Sequence, residues 1–329
     1  MMDKPMVTRR LMLGGAAALA TPGLARAQGA YPDRPIRLIV PFPPGATVDV
    51  TARIVAQKAA ELLGGGASFV IENVPGAGGN LGTQRVARER PDGYTLLFNA
   101  PNHTVNPGLN ANSGYDPEKD FAPISLVAQI PEIVIAPRSA PFTTFQEFVA
   151  YARANPGRLS YSSAGIGSHP HVVTELLLHR LGLQVVHVPY RGAAPALTDT
   201  VAGRVQLKLD SYVSSAPHMA TGALRVLAIA SPQRSPLMPD VPTVVELGLP
   251  GFEGILWMGV LAPAGVSAPV VARLSAAFMG AVRAPEIARG LSERGVEPVG
   301  NTPAEFAAII TREVPQWRDV IRTANIRPE

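Results

Sequence analysis

Ser163 and Ser168, beside His169 and His171, come nearest in this chain to covalent chemistry, as a hydroxyl nucleophile with an imidazole base. Ser163-Ala164-Gly165 forms half of a nucleophile elbow, but Tyr161 stands where the leading glycine belongs. A histidine one or three positions from a serine at a helix start, as His169 and His171 are from Ser168, is poorly placed to take its proton, so a periplasmic serine hydrolase is the weaker reading. The same two histidines fall on different faces of a helix and have no carboxylate cluster nearby in sequence. They read as exposed or capping residues, and no metal site is expected. Gly76-Ala77-Gly78 opens a dinucleotide fingerprint that fails at its third glycine, where Leu81 stands, so no cofactor is expected either.

What remains is binding. Pro41 to Asp49 and Glu72 to Thr83 each join an apolar run to a helix start through Pro, Gly and small hydroxyl residues. That composition leaves backbone N–H groups available to an anion, and the positive end of a helix stabilises a carboxylate by about 0.3–1 kcal/mol, more when shielded. In the first loop Gly45, Ala46 and Thr47 are the candidate contacts. An ordinary turn with Thr47 as N-cap competes with that reading, and Asp49 is assigned to the helix. In the second loop the candidates are Gly78, Gly79, Asn80 and Thr83. A third loop, Ser162 to Ser168, offers Ser162, Ser163 and Ser168 as neutral donors to a ligand oxygen, with N-capping an additional role for Ser168. Arg191 is either a partner for a second carboxylate or a surface guanidinium.

The elements that must position these loops follow from hydropathy. Strands are expected at Ile36–Val40, Ser68–Glu72 and Tyr94–Asn99, with helices at Val48–Leu63 and Leu81–Arg90. This βαβαβ order predicts a parallel doubly wound sheet whose ligands sit outside the carboxyl ends of its strands. The pattern restarts with strands at Ile133–Ala136, Leu159–Ser162, Val185–Val188, Leu207–Leu209 and Leu224–Ala230, and helices at Thr144–Ala154, His171–Leu181 and Ala193–Ala202. The run Ile255–Leu261 and helices Pro269–Arg283, Pro285–Arg294 and Pro303–Ala324 close the chain. The expected fold is α/β and two-lobed, each lobe a doubly wound, mostly parallel sheet, in the manner of a type II periplasmic binding protein. Residues 28–130 with 256–329 form one lobe and 131–255 the other, the ligand cleft lies between them, and the chain crosses at Val127–Ile133 and Glu253–Met258. Trp257, in the second crossing, either closes over the cleft or packs in the core; Trp317 is core.

Residues 1–27 read as an export signal: Arg9-Arg10 precede the apolar stretch Leu11–Leu19, and Ala25-Arg26-Ala27 has the small-x-small form of a cleavage site. The twin arginines suit either the twin-arginine or the general secretion route to the periplasm. That segment carries Lys4, Arg9, Arg10 and Arg26 against Asp3, so its removal lowers the net charge from +4 to +1. A nearly neutral chain has no electrostatic footprint for nucleic acid, and the apolar stretch is too short to span about 30 Å of hydrocarbon. Cysteine is absent, which excludes a disulfide framework and a thiolate catalyst.

Six strings stand in a familiar order: Pro41-Phe42-x-x-Gly45, Pro75-Gly76-Ala77-Gly78-Gly79-Asn80, Pro91-Asp92-Gly93-Tyr94, Tyr115-Asp116-Pro117-x-Lys119-Asp120-Phe121, Val188-Pro189-Tyr190-Arg191-Gly192 and Pro239-Asp240-Val241-Pro242-Thr243. In this the chain resembles the solute-binding receptors of tripartite tricarboxylate transporters, often called Bug receptors, over nearly its whole length after the signal. The resemblance implies a monomeric periplasmic receptor that closes on a small carboxylate, whether mono-, di-, tricarboxylate or aromatic acid, and delivers it to membrane transporter subunits. It implies ligand contacts from Phe42, Pro44, Gly45, Ala46 and Thr47 in the first loop and from the Gly76–Thr83 loop. From the second lobe it implies contacts from Ser162, Ser163, Gly167, Ser168, Tyr190 and Asp210. Ala46 departs from the second glycine many relatives carry there, and its methyl narrows the site or restricts the backbone. A receptor presenting ligand to a membrane kinase would share this fold and site.

Overall fold

The computed structural model describes residues 1–2, 31–110 and 112–327. The expected export signal lies almost wholly outside the described residues. The first βαβαβ run is β1 (Ile36–Val40), α1 (Thr47–Leu63), β2 (Phe69–Asn73), a 3-10 turn at Ala77–Gly79, α2 (Asn80–Ala87) and β3 (Thr95–Asn99). β1 is a buried apolar strand with β2 and β3 parallel on either side. α1 presents Val48, Ala52, Val55, Ala56 and Ala59 to the core, and Gly64 at φ +70° stops it.

α3 (Asn102–Leu109) follows, and then β4 (Phe121–Pro137), a strand of 17 residues. The second run comprises α4 (Phe145–Ala154), β5 (Ser160–Ser163), α5 (His169–Leu181), β6 (Val186–Pro189), α6 (Ala193–Val201), β7 (Leu207–Ser211), α7 (Tyr212–Ala220) and β8 (Leu224–Ile229). The chain ends with β9 (Ile255–Pro263), α8 (Ala268–Arg283), α9 (Pro285–Ser292), β10 (Glu297–Pro298) and α10 (Pro303–Thr323). α4 and α10 each begin with a complete capping box, Thr144 with Glu147 and Thr302 with Glu305.

The strands join in the order β2-β1-β3-β9-β4-β7-β5-β6, with β8 and β10 also paired to β4. β4 is the pivot of this arrangement. Its residues Phe121–Pro131 pair antiparallel with β9, and from Glu132 onward it pairs with β7 and β8 instead. One parallel set, β2-β1-β3, therefore lies on one side of the crossing strands and a second, β7-β5-β6, on the other. This is the expected α/β, two-lobed architecture.

Each half has its own core. Ile39, Leu97, Trp257, Phe306 and Val314 pack in the first, and Phe148, Tyr161, Val172, Leu209 and Phe252 in the second. α10 serves both, since Phe306 to Val314 join the first cluster while Trp317, Val320 and Ile321 join the second. α3 was not foreseen because Pro107 and Gly108 lie inside it. The expected strand Ile133–Ala136 is only the end of β4, whose first part carries Pro123, Ser125, Gln129 and Pro131 and so reads as a connection.

Candidate functional site

Strands β1 and β2 end together, with Val40 opposite Asn73, and Val74 N–H donates to Val40 O at 2.9 Å. The loops that follow therefore emerge side by side. They stay in contact further on, where a Cβ on Gly82 would lie 2.9 Å from Pro41 Cβ and 3.0 Å from Val74 O, so only glycine lets α2 start this close.

Asp49 fixes the first loop. Its buried carboxylate accepts from Gly45 N–H at 2.9 Å, Asn73 Nδ2 at 2.8 Å and Arg53 Nε at 3.1 Å, and a second Arg53 nitrogen lies 3.0 Å away. Burial pushes the Asp49 carboxyl up, but the bonds from Arg53, Gly45 and Asn73 outweigh it and hold the group below the ordinary aspartate range. Asn73 Nδ2 also reaches Phe42 O at 3.0 Å. The Gly45 amide is thus spent on the loop itself, and Ala46 N–H closes a turn on Pro43 O. Ala46, not Thr47, is the N-cap of α1, with no side-chain cap. The N–H groups of Thr47 and Val48 have no acceptor among the described residues, and the Thr47 hydroxyl is exposed and equally unengaged. Pro44 is exposed and Phe42 half-buried on the same loop.

In the second loop Gly76, Ala77, Gly78 and Gly79 all have positive φ, at 130°, 48°, 62° and 89°. The turn is secured from α3, where Asn102 and Asn106 both donate to Gly78 O, at 3.0 and 2.9 Å. Asn80 and Thr83 are buried and serve this scaffold: Asn80 Nδ2 donates to Ser113 O, Thr83 Oγ1 donates to Gly79 O, and Asn99 Nδ2 donates to Thr83 Oγ1. Gly79 N–H bonds to Gly76 O. The exposed N–H groups of Ala77 and Gly78 have no acceptor among the described residues. The start of α1 and the 3-10 turn that leads into α2 therefore each offer unengaged amides, the arrangement that holds an anion.

The third loop follows β5 in the other half, beside the end of β6. Tyr190 N–H donates to Ser163 O, and Gly165 at φ +125° lies so close that its Cβ would be 3.3 Å from Tyr190 O. Two histidines brace it, His171 buried and His187 half-buried. His171 Nδ1 accepts from Gly167 N–H at 2.9 Å, and the His171 ring stacks on His187 with centroids 3.8 Å apart. His187 Nε2 lies 2.7 Å from Ser163 Oγ. Burial, with the neighbouring His187, pushes His171 down to about 3, and burial takes His187 down to about 4, so both rings are neutral near pH 7.

His169 and His171 are thus core residues rather than exposed or capping ones. His169 Nδ1 pairs with buried Glu132 Oε1 at 3.0 Å. Neither is hydrogen-bonded to Ser163 or Ser168, as a hydrolytic dyad would need. Ser163 does meet His187, but it is wholly buried and its hydroxyl also accepts from Gly165 N–H, so the pair holds the turn. Ser162 is spent on Thr200 at 2.9 Å, and Ser168 donates to Gly165 O at 2.6 Å while its position is the N-cap of α5. Tyr190 OH donates to Asp199, and Arg191 is exposed.

Asp210 lies on β7 beneath this loop, paired with Lys208 at 3.1 Å and accepting from Ser211 N–H and Ser215 Oγ. Lys208, only 1% exposed, is a functional-region residue that the sequence reading missed. Its place two residues before Asp210 on an alternating strand was the available signal. Trp257 is buried and donates to Glu313, which burial pushes above the ordinary glutamate range. Among the described residues no group of three or more His, Asp or Glu side chains could hold a metal.

α3 runs between the two sides. Asn102 near its start holds the second loop, and Leu109 at its end packs against Gly167 of the third, where a Cβ would come within 2.6 Å of Leu109 Cδ1. α3 thus touches the second loop through Asn102 and Asn106 and the third through Leu109, so one helix links the loops of the two halves.

Two α/β halves joined by crossing strands, with strand-to-helix loops from each meeting across one helix, define a two-lobed solute-binding protein. The sequence pattern of the tripartite tricarboxylate transporter family receptors matches residues 51–326, and the chain belongs to that family. It is 33% identical to the protein BugT of Bordetella pertussis, over 92% of this chain and 94% of that one. Among solved structures it is similar to an R. palustris protein with adipate, at 35% identity and TM-score 0.74, covering 91% of this chain and 100% of the other. It is also similar to MatC from Rhodopseudomonas palustris with bound malate, at 34% identity and TM-score 0.71, covering 88% and 100%.

Proposed function

We propose that the protein captures a small carboxylate in the periplasm and delivers it to a membrane transporter of the tripartite tricarboxylate type. The observation that carries this reading is the start of α1 beside the 3-10 turn, whose Thr47, Val48, Ala77 and Gly78 amides have no acceptor among the described residues. One carboxylate seats there, with the Thr47 hydroxyl beside it. The rest of the ligand extends toward the loops carrying Ser163, Gly167, Ser168 and Tyr190. Adipate and malate in the two R. palustris relatives support a dicarboxylate. Residues 28–130 with 256–329 act as one lobe and 131–255 as the other, closing about β4 and β9.

Binding rather than catalysis fits a site whose serines are engaged in turns. Export places the chain with its substrate: residues 1–27 serve as a signal cleaved near Ala27, and among the described residues no helix is long and apolar enough to cross a membrane. The receptor acts as a monomer that presents its closed form to the transporter. Calorimetry with mono-, di- and tricarboxylates and neutral sugars tests this. Micromolar or tighter binding of at least one carboxylate is expected; affinity for sugars alone would overturn it.

A further inference from the structure

The molecule has a second gap between its halves. A cavity of about 620 Å³ is lined by Gln129, Trp257, Val296 and Glu297 from the first half and by Gln233 and Leu237, which follow β8, from the second. In the first half the anion-suited loops leave β1 and β2, whereas β10, which forms the outer edge of this cavity, is four strand positions from β1, about 19 Å at the usual spacing. In the second half the third loop leaves β5, and the cavity lies past β8, three positions and about 14 Å across. The crossing strands β4 and β9 run between the two gaps. A rotation about those strands that narrows one gap widens the other.

Besides the Arg312–Glu253 pair beside the second crossing, two contacts tie the halves together across the rear gap. Ser235 Oγ donates to Glu297 Oε1 at 2.9 Å, and Val213 on α7 covers Gly295, where an added Cβ would fall 1.9 Å from Val213 Cγ2. Glu297 is steadied from its own half by Gln129 Nε2 at 3.2 Å. The charged side chains lining the cavity are already engaged: Arg312 with Glu253, Arg234 with Glu246, Glu297 with Ser235, and Glu313 with Trp257. With its charges satisfied internally, the cavity reads as a mechanical gap rather than a ligand site.

We propose that the Ser235–Glu297 and Val213–Gly295 contacts are a rear latch that holds the ligand cleft open until a ligand closes it. Closing the cleft breaks them, so their strength sets the open-to-closed equilibrium and, through it, the apparent ligand affinity. The affinity consequence rests on the carboxylate reading, but the latch itself is a property of the ligand-free protein and is tested there.

The natural chain has no cysteine, so thiols introduced at exposed Arg88 and Ala194 take spin labels on opposite halves without background. Pulsed electron resonance on the ligand-free protein then reads the distance distribution. Ser235→Ala should raise the shorter-distance, closed population about fivefold, as loss of one hydrogen bond implies. Combining it with Val213→Ala should raise it further. Gly295→Ala, whose methyl overlaps Val213, should wedge the rear gap and shift the distribution the same way. Adding Val213→Ala to that variant should relieve the wedge. Distributions unchanged in Ser235→Ala and in Gly295→Ala would overturn the latch, whatever carboxylate the protein binds.

Discussion

Asp49 is the residue on which the first loop turns, and Asp49→Asn is the sharpest local perturbation. The carboxylate collects donors from Gly45, Asn73 and both ends of Arg53 within 3.1 Å. An asparagine keeps one acceptor oxygen and turns an NH2 toward the remaining donors. Gly45 and Arg53 are exposed and can recover bonds from water, so the loss falls on the half-buried Asn73 and on position 49 itself, which is buried. The lost charge-assisted bonding at this buried position costs about 1.5–3 kcal/mol. For a unit near 300 residues, that lowers Tm by roughly 3–5 °C. The same change releases the Pro43–Ala46 turn that aims the Thr47 and Val48 amides, so affinity for a bound carboxylate should fall at least about tenfold, one charge-assisted hydrogen bond. Burial opposes ionisation of Asp49, but the Arg53, Gly45 and Asn73 bonds win and depress its pKa. Its stabilisation is therefore complete above the unfolded value near pH ~3.9 and is lost as pH falls through the folded one, so the gap between wild type and variant should shrink below about pH 4. Differential scanning fluorimetry across pH and calorimetry measure both effects. A variant with unchanged Tm and unchanged affinity would refute the assignment of Asp49 as the anchor of this loop.

Three further outcomes follow from the geometry. His103 is wholly buried and pushed down to about 4 by that burial, so the unfolded chain takes up a proton there from about pH 6.5 downward while the folded one does not. Its contribution destabilises the protein as pH falls, by up to about 1.4 kcal/mol per pH unit between about 6.5 and 4. Because Glu313 and Glu175, raised by burial, act with the opposite sign, the test is a difference: urea unfolding of His103→Asn should show a shallower loss of stability toward pH 4.5 than wild type. Parallel curves would exclude a buried neutral His103. Lys208→Met strands the Asp210 carboxylate and should cost about 3–5 kcal/mol, with much of it recovered in Lys208→Met/Asp210→Asn; strict additivity in this double-mutant cycle would mean the pair is not coupled. Gly82→Val forces side chain into Pro41 and Val74 O, so it should lower both Tm and carboxylate affinity, and a variant with wild-type binding would separate loop packing from the site.

Periodicity and turn chemistry made most of the framework legible, because β1, α1, β5 and the terminal helices have clean apolar faces and Gly or Pro punctuation. The crossing strand was half hidden, since Pro123, Gln129 and Pro131 interrupt the apolar run that β9 nevertheless pairs with. At the candidate site, residue types in the sequence marked three strand-to-helix loops but could not assign their atoms. Gly45, Asn80 and Thr83 look like ligand donors by type, yet their groups are consumed by Asp49, Ser113 and Gly79. Asn102 and Asn106, one helical turn apart, secure Gly78 from a helix whose Asn-Pro-Gly composition hid it. The burial of His169 and His171 depends on partners 37 and 16 residues away, Glu132 and His187, which no local pattern reports.

The central claim is that backbone amides at the start of α1 and in the neighbouring 3-10 turn hold the ligand carboxylate. Amide chemical-shift mapping by nuclear magnetic resonance, with saturating titration of each carboxylate that binds in calorimetry, addresses it directly. The account predicts that the Thr47, Val48, Ala77 and Gly78 amides show the largest downfield shifts. Saturated binding that leaves those four resonances in place, while amides elsewhere move, would contradict it.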